Sequence, residues 1–299
     1  MKRFVFTIVR LALVLSLATL GTQFASDRTQ KTGGQQFFTF DYPGAVSTFA
    51  AGINSGGDIV GSYWDPVASH GFILCRGAFQ TLDFPDPTMP HTVPRAITPG
   101  GGIIVGAVIN QLWSTYHGFV WRGGNFETIL FPGADYTYAM NINPQGDIVG
   151  EYYLSDFVIH GFLYSSGTYT TIDAPTPDAA HTSIYAINAR GDIAGWYANA
   201  DFSSLRAFAV TKGRLTVIET PPDSNFMIAT GINDRGDVVG YYGLSDFTSR
   251  GFLWSEGILS SIEIPGSIGT RCNGINARGD IVGEYDTPDY VTHGFVLFK

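Results

Sequence analysis

The chain has 299 residues and a net charge of −9, with 44% hydrophobic, 14% aromatic and 14% charged side chains, 37 glycines and 2 cysteines. An acidic surface repels phosphate backbones and anionic lipid, which excludes nucleic acid and charged membranes as main partners. Two cysteines are too few for a disulfide scaffold, so the fold must rest on buried apolar surface.

The amino terminus stands apart. Lys2, Arg3 and Arg10 precede an apolar run over residues 11–20, with small residues at Thr19 and Gly21. A basic start, a short apolar core and a small-residue exit read as a secretory signal peptide over residues 1–25, too short to span a bilayer. Residues 26–35 read as a linker. Without the leader the chain is expected to be secreted or periplasmic, acidic, monomeric and free of stable membrane insertion.

From residue 36 the chain is one phrase written six times: I-N-x-x-G-D-[IV]-[VA]-G-x-Y, a polar loop, H-G-F-[LIV], then x-T-I-D-x-P. The glycine after the apolar pair falls at Gly61, Gly106, Gly150, Gly195, Gly240 and Gly283, a period of 43–45 residues. Repetition at that length signals a stack or ring of one supersecondary unit. In the third copy, Tyr138-Ala139-Met140-Asn141-Ile142 predicts a strand and Asn143-Pro144-Gln145-Gly146-Asp147 a tight turn. Ile148 to Tyr153, His160 to Tyr164 and Tyr169 to Asp173 predict three more strands, rich in β-branched and aromatic residues. Nothing past residue 30 shows helical spacing.

Four antiparallel strands per repeat is the blade of a β-propeller, and the near-continuous apolar strands suit blades packed on both faces. The position two before the turn Asn is small in five copies of six (Gly52, Ala96, Ala186, Gly231, Gly274), as an innermost strand near an axis requires. The last copy ends after its third strand, while Phe37-Phe38-Thr39-Phe40-Asp41 matches the missing fourth. The sequence therefore predicts an all-β six-bladed propeller over residues 36–299, its last blade closed by the N-terminal strand. The repeats run over about 41–83, 84–130, 131–173, 174–219, 220–263 and 264–299 plus 36–40.

The phrase I-N-x-x-G-D-I-V-G-x-Y…H-G-F-L…T-I-D-x-P-G resembles the HAF repeats of secreted bacterial proteins, over residues 36–299. The resemblance implies an extracellular, propeller-like protein and no particular chemistry. Copy two departs most, with Thr98 for the turn Asn and Ile103 for the Asp.

Four histidines, His70, His117, His160 and His293, open the third strand, but Arg206 and Arg250 fill the same slot in the other copies. Arginine shares with histidine a flat donor head and cannot ligate a metal, so the slot reads as a hydrogen bond pinning the loop before strand three. The Asn-x-x-Gly-Asp turn offers too few oxygens for calcium. Arg190-Gly191-Asp192, Arg235-Gly236-Asp237 and Arg278-Gly279-Asp280 read as turns with a soluble filler rather than adhesion motifs. Cys75 and Cys272 fall in the first and last repeats, and Cys272 takes a slot held by alanine elsewhere, as a small buried hydrophobe would. No cofactor or metal motif stands out.

The loops between strands two and three should emerge on one face with the blade junctions. They carry Asp65, Asp156, Asp201, Asp246 and Asp289 beside Trp64, Trp113, Phe157, Phe202, Phe247 and Tyr290. Carboxylates beside exposed aromatics around a concave mouth suit a carbohydrate ligand, by hydrogen bonding and stacking. We expect a non-enzymatic binder of an extracellular polysaccharide or protein. The candidate ligand-binding residues are the five aspartates with Trp64, Trp113, Phe157 and Phe247. A polysaccharide hydrolase or lyase with an Asp pair at the mouth is the alternative, and a purely structural matrix protein the third. The irregular copies, two and four, lose polar groups rather than gain them, which argues against catalysis.

Overall fold

The computed structural model describes residues 30–32 and 35–299; the expected signal peptide and most of the linker lie outside the described residues. Every regular element among those residues is a strand. Each copy folds as an antiparallel meander. In the third, Tyr136–Ile142, Ile148–Tyr153, Ile159–Ser165 and Thr168–Ile172 lie side by side in chain order.

Local chemistry fixes the first and last hairpins of the meander. Asn143 closes the first turn with its own side chain: Oδ1 accepts the Asp147 N–H at 2.9 Å and Nδ2 donates to Asp147 Oδ2 at 2.9 Å. Gly146 sits there at φ 89°, where a Cβ would be strained. The last hairpin turns through Ser166 at φ 50° and Gly167 at φ 82°, two left-handed residues whose twist matches that of the flanking strands.

The copies do not give six separate sheets. Four sheets of four strands stand alone, and the other strands form one sheet of nine. In it the fifth copy, Ser224–Ile232 onward, touches the sixth through a single parallel bridge between Ser249 and Gly269. Gly269 has no side chain to hold the neighbouring strands apart, so two adjacent sheets merge at that point. The same sheet pairs the carboxy-terminal strand Thr292–Phe298 with Gln35–Phe40, Phe38 opposite Val296 and Thr39 opposite Phe295. The first strand of copy one, Ser47–Ile53, packs against the strands of copy six. The architecture is an all-β propeller.

Packing explains the phrase. The phenylalanine of each H-G-F, or its equivalent (Phe72, Phe119, Phe162, Phe208, Phe252, Phe295), is wholly buried. The preceding first strand carries a bulge in every copy, between Ala50 and Gly52, Pro94 and Ala96, Ala139 and Asn141, Ile184 and Ala186, Ala229 and Gly231, and Cys272 and Gly274. The bulge drives a carbonyl toward the second strand. A Cβ on Gly150 would strike the Tyr138 carbonyl oxygen and, at 2.8 Å, the Phe162 ring. Side chains therefore cannot occupy that slot, and the glycine recurs.

Side-chain bonds join neighbouring copies. Asn188 Nδ2 donates to the Asn233 carbonyl at 3.0 Å, and Asn276 Nδ2 to that of Asn54 at 3.0 Å. The arginines of the three Arg-Gly-Asp turns are not fillers. Each pairs with its own aspartate, Arg190 with Asp192 at 3.1 Å, Arg235 with Asp237 at 2.8 Å and Arg278 with Asp280 at 2.6 Å. Three of the four third-strand histidines bond the acid after the fourth strand, rather than mainly the loop before their own. His70 meets Asp83 at 3.0 Å, His160 meets Asp173 at 3.1 Å and His293 meets Asp41 at 2.9 Å; His70 alone also reaches its loop, at Asp65. Both cysteines are free thiols, Cys272 fully buried.

Candidate functional site

The loops between the second and third strands carry eight of the nine residues expected to bind ligand, and Trp64 ends the second strand that enters the first of them. Their aspartates hold the loops together. Asp65 Oδ1 accepts the N–H groups of Val67 and Ala68 at 2.7 and 2.8 Å, while Asp156, Asp201 and Asp246 accept those of Val158, Ser203 and Thr248 at 3.1, 3.0 and 3.0 Å. These backbone and side-chain donors keep the Asp65, Asp201 and Asp246 carboxyls below their ordinary range, and hydrogen bonding to Thr287 does the same for Asp289. Each carboxylate serves its own loop, and none is bonded to another.

The aromatics behave differently. Nine non-glycine residues among those described have positive φ; four belong to tight hairpin turns, and the other five are Trp113, Phe157, Phe202, Phe247 and Tyr290. Each closes a short turn, as the Phe157 N–H does on the Leu154 carbonyl at 3.0 Å. Glycine is the favoured residue at such a left-handed position, because a Cβ there crowds the backbone. Five copies carry a large ring instead. Phe247 is 98% exposed, Tyr290 83% and Phe157 73%, so packing does not account for them. Phe202 and Trp113 lean on His181 and His91, with ring centres 4.2 and 4.5 Å apart.

Two of the cavities beneath these loops hold residues expected to bind ligand. One of about 370 Å³ is walled by Tyr116, Tyr136, Tyr138, Tyr153 and Phe157. The other, of about 320 Å³, lies in the channel around which the first strands are arranged. Trp64 and Trp113, stacked at 5.7 Å and 7°, line this second cavity, so the structure brings these two expected residues together. Phe157 belongs to the first cavity and Phe247 stands apart from both.

Sequence reading missed the channel wall. The unpaired residue of each bulge is Ala51, Arg95, Met140, Tyr185, Thr230 or Asn273, and the residue after the second-strand glycine is Ser62, Ala107, Glu151, Trp196, Tyr241 or Glu284. Bulges re-aim side chains, and here Arg95, Tyr185, Thr230 and Asn273 line the channel cavity with Ser62, Tyr241 and Glu284 of the second strands. Copy two, expected only to lose polar groups, gains Arg95 at its bulge. Aligning the copies exposes the signal, since these two columns change in character where the rest of the phrase holds.

The electrostatics are uneven. Arg271 is clamped between Glu284 at 2.7 Å and Asp286 at 2.8 Å, and Asn273 donates to the other Glu284 oxygen at 3.2 Å. Glu151 is 6% exposed; its Oε1 accepts from Tyr153 at 3.1 Å, and its Oε2 has no partner. Burial pushes the Glu151 carboxyl up, and it pushes the hydroxyls of Tyr138, Tyr153, Tyr185 and Tyr241 up as well. Arg95 sits over the Tyr138 ring, 5.6 Å from its centre, and its Nε has no hydrogen-bond partner.

No family model matches the chain, and no curated protein does. Solved structures do. A putative TolB from Agrobacterium tumefaciens is similar at 12% identity, covering 84% of this chain and 90% of that one, with a TM-score of 0.54. A variant of Aleuria aurantia lectin, in complex with Fucα1-6GlcNAc, is similar at 12% identity over 84% of this chain and 91% of its own, with a TM-score of 0.51. The β-propeller domain of the Trilobed protease from Pyrococcus furiosus gives 12% identity, 83% and 95% coverage and a TM-score of 0.49. Likeness at this identity shows the propeller fold alone.

Proposed function

We propose that the protein is a secreted, non-enzymatic propeller of the HAF repeat type that binds extracellular polysaccharide through the face bearing the two-to-three loops. The observation that carries the reading is the set of aromatics on left-handed backbone, three of them largely exposed. Left-handed backbone costs an L-residue roughly 1–2 kcal/mol, and strain of this kind, uncompensated by burial, gathers at binding sites. Flat exposed rings stack on sugar faces, and the Asp156 and Asp246 carboxylates each keep one oxygen beyond their capping bonds. A sugar-binding propeller among the similar folds accords with the reading.

The ring counts six blades in this proposal, the last completed by the N-terminal strand. Three features support it: a single bridge joins the halves of the nine-stranded sheet, Phe38 pairs beside Val296, and Asn276 bonds Asn54 as Asn188 bonds Asn233. The signal-like terminus supports export.

The test is a polysaccharide array probed with the protein and with a triple variant, Phe157→Gly, Phe247→Gly and Tyr290→Gly. Losing three stacking rings at about 0.5–1.5 kcal/mol each should cost well over tenfold in binding. The melting temperature should hold or rise, since glycine relieves the backbone. Full binding by the variant, or a melt lowered by several degrees, would overturn the reading.

A further inference from the structure

We propose that the cavity of about 370 Å³ between the second and third copies is an aromatic cage for a small organic cation of the trimethylammonium class, such as choline. Its walls are the rings of Tyr116, Tyr136, Tyr138, Tyr153 and Phe157. Tyr116 and Tyr136 meet edge to face with ring centres 5.5 Å apart, as do Tyr136 and Tyr153 at 5.8 Å, while Tyr138 tilts against Tyr116 at 5.5 Å. Rings set at such angles offer their faces from several directions, which is how a cage surrounds a cation. The fold does not call for these tyrosines. Tyr153 answers to Trp64, Ile109, Ala198, Gly243 and Asp286 in the other copies. No other copy has tyrosine in any of the four columns, so four of them meet at this one junction alone.

The walls select the ligand. Burial pushes the hydroxyls of Tyr116, Tyr138 and Tyr153 up, so they are neutral phenols at physiological pH and the attraction comes from the negative ring faces. The Tyr153 hydroxyl is already given to Glu151 Oε1, at 3.1 Å. A trimethylammonium carries a charge but no N–H, so it leaves water without forfeiting hydrogen bonds. A primary ammonium or a sugar would leave several donors with few acceptors. Asp135 and Asp156 are exposed and adjoin Tyr136 and Phe157 in an acidic chain, so the mouth attracts cations and repels anions. Arg95 lies over Tyr138, but it lines the channel cavity and not this one, and Glu284 and Glu151 are near it to offset its charge.

Calorimetric titration of the protein with choline, against its uncharged carbon isostere dimethylbutanol, ethanolamine and phosphocholine, tests the proposal. Choline should bind, and each of the other three should bind about tenfold more weakly or worse. Dimethylbutanol lacks the charge, ethanolamine must strip water from its N–H groups, and phosphocholine brings an anion to an acidic mouth. Tyr116→Leu should weaken choline about fivefold, the worth of one desolvated ring, and narrow its lead over dimethylbutanol. Absence of choline binding at about 10 mM, a comparator binding as well as choline, or unchanged choline affinity in a folded Tyr116→Leu would overturn the proposal. Choline against dimethylbutanol on the unaltered protein decides it even where Tyr116→Leu fails to fold. The site does not depend on the loop-face reading. A Phe247→Gly, Tyr290→Gly double variant should weaken polysaccharide binding and leave choline binding intact; loss of choline binding there would also overturn the proposal.

Discussion

Starting the chain at Asp41 removes Gln35–Phe40 and leaves the strand Thr292–Phe298 with an open edge. Phe37 is 2% exposed and packs with Cys272, Phe295 and Leu297, while Phe38 and Phe40 are half-buried against Val282, Val296 and Phe72. Fully burying a phenylalanine contributes about 1.5–3 kcal/mol, so one full and two partial burials amount to about 3–6 kcal/mol. The ladder over Gln36 to Phe40 adds hydrogen bonds, each contributing about 0.5–1.5 kcal/mol net. A loss of about 5–8 kcal/mol follows, and at about 2–4 °C per kcal/mol for a domain of this size the melt should fall by roughly 10 °C or more. Differential scanning calorimetry of the two proteins measures it. The bared edge should also promote association, visible as concentration-dependent light scattering. A midpoint within about 2 °C of the full chain would refute the reasoning, because it would mean that the pairing contributes no more than a frayed terminus.

Gly150→Ala should destabilise by about 3 kcal/mol, at the upper range of overpacking, because the obstructing Tyr138 carbonyl belongs to the backbone and cannot swing away. Gly100→Ala, with open space around it, is the control and should leave the urea midpoint unchanged. Glu151 has a folded pKa above its unfolded value of 4.5, so its burial costs stability progressively as pH rises through that value. Glu151→Gln should therefore match the parent below pH 4.5 and exceed it at pH 8, as thermal melts across pH would report; a variant less stable at both would contradict the assignment.

The turn phrase, the hairpins and the strand boundaries were legible because each depends on residues within five or six positions of one another. Asn143 caps its own turn, Gly167 its own hairpin, and the recurrent phenylalanine announces a core position in every copy. The pairing of Phe37–Phe40 with the carboxy-terminal strand was legible too, since those residues match the fourth strand of the other copies. The partners of the histidines were not, because Asp83 and Asp173 lie 13 residues away across a hairpin and only the register brings them within reach. Nor was the merging of two sheets at Ser249 and Gly269, which turns on how closely neighbouring copies pack.

The loop face was half legible. Sequence placed Trp64, Trp113, Phe157 and Phe247 on one rim, but left-handed φ is a backbone fact that no residue type reveals, least of all an aromatic where glycine is favoured. The channel was hidden for a similar reason. A strand alternates faces, and a bulge breaks that alternation by one residue, so the direction of Arg95 depends on where the extra residue falls. Sequence alone determined the unit and its short-range bonds, because those interactions act locally along the chain. Tertiary structure alone decided which odd residues share the channel, because those neighbours come from different copies and meet only when the sheets are packed around a common centre.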